Sequence, residues 1–333
     1  MYINMKKIIY FLVVIMFFGV SSSTVYALTV SPARIELSGK PGDTIHKDIT
    51  LLNENKTTSQ TFFISFANFE AQGETGSPHF IEPTNDIGTW MNAPSSITVP
   101  PGGSKNVSVS ISIPKDASSG GHFGAIFFGT APSATREGQV AIAAKTGVLV
   151  LLSVVGDINE AGGLLSFATK NKKFFHTSLP VHFEYRFRND GNDRVKPEGK
   201  ITIRNTVWYP TKRIDANQSL GNVLPGSTRL FEVQWLEYSH DDSEPFFGGR
   251  TASFFRTVQY QWKNFALGPY FAKLSLVYGN QQQTDIEHLV FFVFPWHLML
   301  VVVCIGAVLF LGGRQLLKKY NTYIIKRSRA PLS

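Results

Sequence analysis

The side chains best suited to metal or acid–base chemistry are the histidines: His46, His79, His122, His176, His182, His240, His288 and His297. They are scattered, and none stands in a His-x-x-x-His arrangement that would aim two ligands at one ion. No Gly-x-Ser-x-Gly elbow, phosphate-binding loop or dinucleotide fingerprint is present. The expectation is therefore no catalytic residue, no metal and no cofactor, and a chain that is not an enzyme. What remains is recognition by surfaces, and two segments are candidates. In Gly120-Gly121-His122-Phe123-Gly124-Ala125-Ile126-Phe127-Phe128-Gly129, four glycines frame an aromatic strand. Gly121, His122, Phe123 and Gly124 would serve a partner if this were a flat edge that another backbone or a glycan approaches closely. The plainer reading, which is preferred, is a strand packed tightly against its neighbours. The second segment, Tyr238–Arg256, carries Phe246, Phe247, Phe254 and Phe255 beside Asp241, Asp242 and Glu244. Its aromatics would meet a partner, a lipid surface or the core, and the sequence leaves the three open.

The elements that must hold these segments are strands. Val107, Val109, Ile111 and Ile113 alternate with serines; Val181, Phe183, Tyr185 and Phe187 alternate with polar residues. Phe231, Val233 and Trp235 do the same, as do Tyr270, Ala272, Leu274, Leu276 and Tyr278. A period of two with one apolar face marks half-buried strands. The breaks carry turn residues, among them Pro41-Gly42-Asp43, Pro100-Pro101-Gly102-Gly103, Asn189-Asp190-Gly191-Asn192 and Pro225-Gly226-Ser227. Gly147–Val155 is continuously apolar and reads as a core strand buried on both sides. Asp157–Gly163 reads as a linker. Outside the membrane segments no amphipathic helix stands out. In both halves an Asn-rich turn ends one strand and a Pro-Gly turn opens a later one, which is the punctuation of Ig-like domains.

The ends place the chain. Lys6 and Lys7 precede the apolar run Ile8–Val20, and Val25-Tyr26-Ala27 resembles a cleavage site, so residues 1–27 read as a signal peptide cut after Ala27. The alternative is an uncleaved N-terminal anchor. From Leu289 to Leu311 there is no charged side chain. Ile286–Phe294 reads as a last strand, and Pro295 suits the first turn of a helix. The span is therefore set at 295–313, roughly 19 residues and just enough to cross a bilayer. Trp296 would sit at one interface and Arg314, Lys318 and Lys319 at the other, with residues 314–333 a basic cytoplasmic tail.

Charge agrees with that placement. The net charge is +8, from 32 Lys and Arg against 24 Asp and Glu. Lys6 and Lys7 lie in the signal segment and six basic residues in the tail, which leaves the part between formally neutral. The excess orients membrane segments and is not a face for nucleic acid. The single cysteine, Cys304, lies inside the apolar run, so the external part can form no disulfide. That fits a bacterial envelope protein better than an animal ectodomain. Sequons at Asn55, Asn106 and Asn217 carry little weight.

The fold expected is all-β: two tandem Ig-like β-sandwiches, residues 28–157 and 158–294, followed by one transmembrane helix. Ser31-Pro32-Ala33-Arg34-Ile35-Glu36-Leu37, the Pro41-Gly42 turn, Thr98-Val99-Pro100-Pro101-Gly102 and Ile113-Pro114-Lys115 before Gly120–Gly129 form one pattern. By that pattern the first domain resembles the N-terminal domain of the WxL-interacting proteins of Gram-positive bacteria, and the order of segments resembles theirs throughout. The resemblance implies peptidoglycan as partner of the first domain and a surface protein as partner of the second. The second domain looks more like a generic bacterial Ig-like module. The first is also similar to periplasmic pilus chaperones, with Arg34 and Lys145 in the places of their two cleft cations. Together these imply a single-pass cell-membrane protein with external domains and a binding or scaffolding role. The alternative is a membrane-tethered, chaperone-like assembly factor that pairs a client strand with an open sheet edge.

Overall fold

A computed structural model describes residues 28–130, 145–206, 210–236 and 253–328. The signal segment, Phe246, Phe247 and the end of the tail lie outside the described residues. Contacts divide the chain into two units: residues 1–69, 80–117 and 122–152, and residues 70–79, 118–121 and 153–333. The protein is mostly β-sheet, with β-sandwiches of antiparallel strands and one long apolar C-terminal helix.

The first sandwich contains β1 (Leu28–Ser31), β2 (Arg34–Gly39), β3 (Thr44–Asn53), β4 (Gln60–Gln72), β5 (Ser77–Ile81), a single turn of helix α1 (Ile87–Trp90), β6 (Met91–Asn92), β7 (Ser96–Val99), β8 (Ser104–Ser112), β9 (Gly120–Thr130) and β10 (Lys145–Val154). One sheet has the order β1-β3-β8-β6 and the other β2-β10-β9-β4-β5, with β7 also pairing β4. Alternation decides which side faces in: Ile49 and Leu51 of β3 and Val107, Val109 and Ile111 of β8 are buried. The apolar run in β10 is a core strand with Val148, Val150, Leu151, Leu152 and Val154 buried, flanked by β2 and β9. That is why it shows no alternation.

The second sandwich contains β11 (Gly162–Thr169), β12 (Phe175–His176), β13 (Val181–Asn189), β14 (Glu198–Arg204), β15 (Pro210–Asp215), β16 (Thr228–Trp235), helix α2 (Phe254–Lys263), β17 (Gly268–Tyr278), β18 (Gln283–Val293) and helix α3 (Trp296–Ser328). Its sheets have the orders β11-β13-β16 and β12-β18-β17-β14-β15. The core is Val181, Phe183, Tyr185 and Phe187 of β13, Phe231, Val233 and Trp235 of β16, and the alternating face of β17.

The repeated punctuation of the sequence is a repeated set of hydrogen bonds. β3 ends on the buried Asn53, whose N–H donates to Gly103 O at 3.0 Å and whose Nδ2 donates to Val99 O and Pro100 O at 3.2 Å. Its Oδ1 accepts from Asn55 N at 3.0 Å. β13 ends on the buried Asn189, whose N–H donates to Ser227 O at 3.0 Å and whose Nδ2 donates to Val223 O at 2.9 Å. Its Oδ1 accepts from Gly191 N at 2.9 Å. The opposing turns also match, with Pro101-Gly102 and Pro225-Gly226 at their centres and glycine φ values of 58° and 66°. Proline followed by a left-handed glycine is the chemistry such a turn needs. Two sequon asparagines are likewise buried turn anchors, Asn55 accepting from Thr57 and Thr58 and Asn217 clasping Gly221.

Two expectations need correction. A helix does exist outside the apolar segment: α2 begins at Phe254, inside the segment read as a loop. Its buried residue is the polar Gln261, and Phe255 and Trp262 are exposed, so its apolar side is not the side it buries. Second, α3 starts next to Pro295 as expected but does not stop at Gly313; it runs 33 residues to Ser328. Residues 314–328 contain neither Pro nor Gly, so no strong helix breaker stands there.

Candidate functional site

β9 is not an edge: it lies between β10 and β4, paired with β4 from Phe62↔Thr130 to Asn68↔Gly124. Gly124 is thus paired within the sheet, and Gly121 N donates to Asn192 O at 2.8 Å. His122 and Gly124 pack against α1. A Cβ on Gly124 would stand 2.9 Å from both Ile87 Cγ2 and Met91 Cε, so only glycine lets the helical turn sit on the strand. His122 is buried, its Nδ1 lies 2.5 Å from Asp86 Oδ1, and its ring packs 4.6 Å from that of Trp90. Asp86 has φ 64°, and its Oδ1 also accepts from Ile87 N at 2.7 Å, capping α1. Asn68 Oδ1 accepts from Gly88 N at 2.7 Å. The glycine-rich strand thus anchors a polar knot around α1. Phe123 packs against Phe69, ring centroids 5.9 Å apart. Arg34, one of the two proposed cleft cations, has Nε 3.1 Å from Glu36 Oε1.

The other candidates gather at the root of α3. Only Phe294 and Pro295 separate β18 from that helix. β12 pairs in parallel with the end of β18, Phe175↔Phe292 and His176↔Val293. Phe292 N donates to Phe174 O at 2.9 Å and Phe294 N to His176 O at 2.8 Å. Burial pulls the His176 imidazole below its ordinary range, while its contact with the Lys173 carbonyl works the other way. Gln261 of α2 is 1% exposed and joins three segments. Its Nε2 donates to Thr177 O at 2.9 Å, and its Oε1 accepts from Leu298 N at 2.9 Å in the first turn of α3. A first-turn N–H has no partner within its own helix, so Gln261 supplies the missing acceptor.

Phe254, a sequence candidate, turns inward, its ring 5.6 Å from that of His297. Phe255 turns outward and is 76% exposed. Trp262 (70%), Phe265 (53%), Phe174 (48%) and Phe175 (63%) are exposed as well, and none was singled out from the sequence. The signal was there in two short stretches, KNKKFFH (170–176) and FFRTVQYQWKNFAL (254–267), which set aromatics among basic and neutral polar residues without one acid. Trp296 stacks on His297 at 3.6 Å and is 44% exposed, and Arg314, Lys318 and Lys319 are exposed along α3. Among the described residues no three His, Cys, Asp or Glu side chains form a candidate metal site.

No protein-family model matches the chain, and no curated protein matches it. Solved structures do. The chain is similar to the class 5 fimbriae chaperone CfaA at 12% identity and TM-score 0.38, over 79% of this chain and 98% of that one. It is similar to the E. coli chaperone DraB at 7% identity and TM-score 0.33, over 80% and 97%. A shorter likeness, to a family 123 glycoside hydrolase from Clostridium perfringens, has 10% identity and TM-score 0.27 over 40% and 28%.

Proposed function

We propose that this chain is a membrane-anchored bacterial cell-surface protein whose Ig-like sandwiches bind cell-wall polymer or a surface-protein partner. The observation that carries the reading is the root of α3. The helix leaves the second sandwich after two residues, and its long apolar length is almost wholly exposed. So large an apolar surface is unfavourable in water, and a bilayer is the solvent that suits it. The basic residues Arg314, Lys318 and Lys319 favour a cytoplasmic C-terminus, with both sandwiches outside. The signal-like N-terminus supports the same orientation. The resemblance to WxL-interacting proteins supports peptidoglycan, or a protein held near it, as the partner.

The test is retention of the full chain, in detergent micelles, on purified cell wall and on immobilised membrane-protein extract. Binding to wall polymer that survives protease treatment of the wall supports peptidoglycan; binding lost on that treatment points to a surface protein. Retention on neither overturns the binding role.

The runner-up is a tethered assembly factor that adds a client strand to an open edge. It is favoured by β2, a six-residue strand that, among the described residues, has a sheet neighbour only on its β10 side. A stoichiometric protein client, released by a peptide of its own edge strand, would establish this reading over the first.

A further inference from the structure

The root of α3 carries more exposed aromatic surface than an anchor needs. A span alone requires one apolar helix, yet here two further segments are tied to its first turn. Gln261 bonds α2 to Leu298, and the β12–β18 pairing brings Phe174 and Phe175 beside Phe292 and Phe294. On α2, Phe255 and Trp262 are seven residues apart, two helical turns, and so lie on one face; both are exposed. The adjoining face, about 100° round the helix, is held by Phe254 and Gln261 against α3. Phe254 and the polar Gln261 turn inward while Phe255 and Trp262 stay exposed, so this helix leaves outward large rings that a helix packed on a core would bury. The basic side chains alongside are Lys172, Lys173, Arg256 and Lys263, with no acid in either stretch.

We propose that this surface is a second lipid contact: α2, Phe265 and the Phe174–Phe175 pair rest in the headgroup region of the leaflet that α3 enters. The proposal rests on the reading of α3 as a span, because continuity with that helix is what identifies lipid as the occupant. Aromatic rings flanked by Lys and Arg match an anionic interface in both chemistries, the rings at headgroup depth and the cations against phosphate. The second sandwich is then fixed to the bilayer by three segments and does not swing on one helix.

The experiment uses the full chain in vesicles of phosphatidylcholine with and without phosphatidylglycerol. A nitroxide on the native Cys304 reports the span. On a Cys304→Ala background, nitroxides at Phe255→Cys, Trp262→Cys or Phe174→Cys report the surface. Collision with oxygen and with a water-soluble nickel chelate gives the depth of each. The expected result is Cys304 deep in hydrocarbon. The three surface sites should lie at headgroup depth, with a severalfold loss of nickel collisions that grows with phosphatidylglycerol. Replacing Lys172 and Lys173 by Gln should remove that lipid dependence without moving Cys304. Cys304 in lipid with the three sites in water overturns this proposal alone; Cys304 in water overturns the span and the proposal together. Spin–spin broadening at Trp262→Cys that disappears on dilution with unlabelled chain would assign the face to a second copy and overturn lipid as its occupant.

Discussion

Asn53 in the first sandwich and Asn189 in the second do the same work. Each ends a strand, donates its backbone N–H across to a Pro-Gly turn, and fastens the carbonyl four residues before that point with its amide. What lies between the sheets differs. The first core is chiefly aliphatic, built from residues such as Ile49, Leu51, Val107, Ile126 and Val150 with Phe62 and Phe128. The second is a chain of rings. Trp235 meets Tyr270 at 4.9 Å, Phe183 meets Phe291 at 5.5 Å, and Tyr185 stacks on Phe231 at 4.8 Å. The turn clasp satisfies backbone groups and is indifferent to the filling, so one device closes both sandwiches. Tyr270 and Phe291 lie on β17 and β18, the hairpin that leads into α3, and Trp235 of β16 packs against both.

The sharpest way to break this comparison is to empty the ring core. Trp235→Ala should cost the second sandwich about 3–5 kcal/mol, read as earlier unfolding in denaturant by hydrogen exchange, with the first sandwich's protection unchanged. Equal loss in both would mean that the cores are not independent. Next come the clasps: Asn53→Ala and Asn189→Ala each leave buried groups without partners and should cost about 2–3 kcal/mol, each in its own sandwich. A silent change at either site would show that the shared geometry does not carry shared stability. Gly124→Ala presses on Ile87 and Met91 and should cost about 1–3 kcal/mol, visible as faster exchange in α1 and nowhere in the second sandwich. The smallest effect is that of pH. His176 has a lowered pKa, so below about pH 6.5 the unfolded chain takes up a proton that the folded one resists. The second sandwich should lose stability as pH falls through that window and then level off below the folded pKa. His176→Gln should flatten that part of the curve in a thermal-unfolding series.

The strands were legible because burial imposes a period of two. The alternating Phe231, Val233 and Trp235 all lie in β16, and Val181, Phe183, Tyr185 and Phe187 all lie in β13. The clasp was half legible: the turn residues stood out, whereas the partnership of Asn53 with Val99 and Pro100 joins positions far apart in sequence. Helix α2 was missed because its aromatics divide between the two sides, Phe254 turning inward beside the polar Gln261 and Phe255 and Trp262 outward. The aromatic surface at the root of α3 was not legible as one surface, since folding alone brings 174–175 and 255–265 to the same place. The full length of α3 escaped because hydropathy marks where a helix would leave lipid, and the backbone has no reason to stop there.

One consequence concerns mechanical load. β18 is paired with β17 over its whole length, from Gly268↔Val293 to Tyr278↔Gln283, and passes into α3 at the Val293 end. A pull on α3 along the strand axis strains that ladder in shear, so its hydrogen bonds resist together instead of parting one by one from a free end. The second sandwich should therefore yield to such a pull later than to peeling from the side.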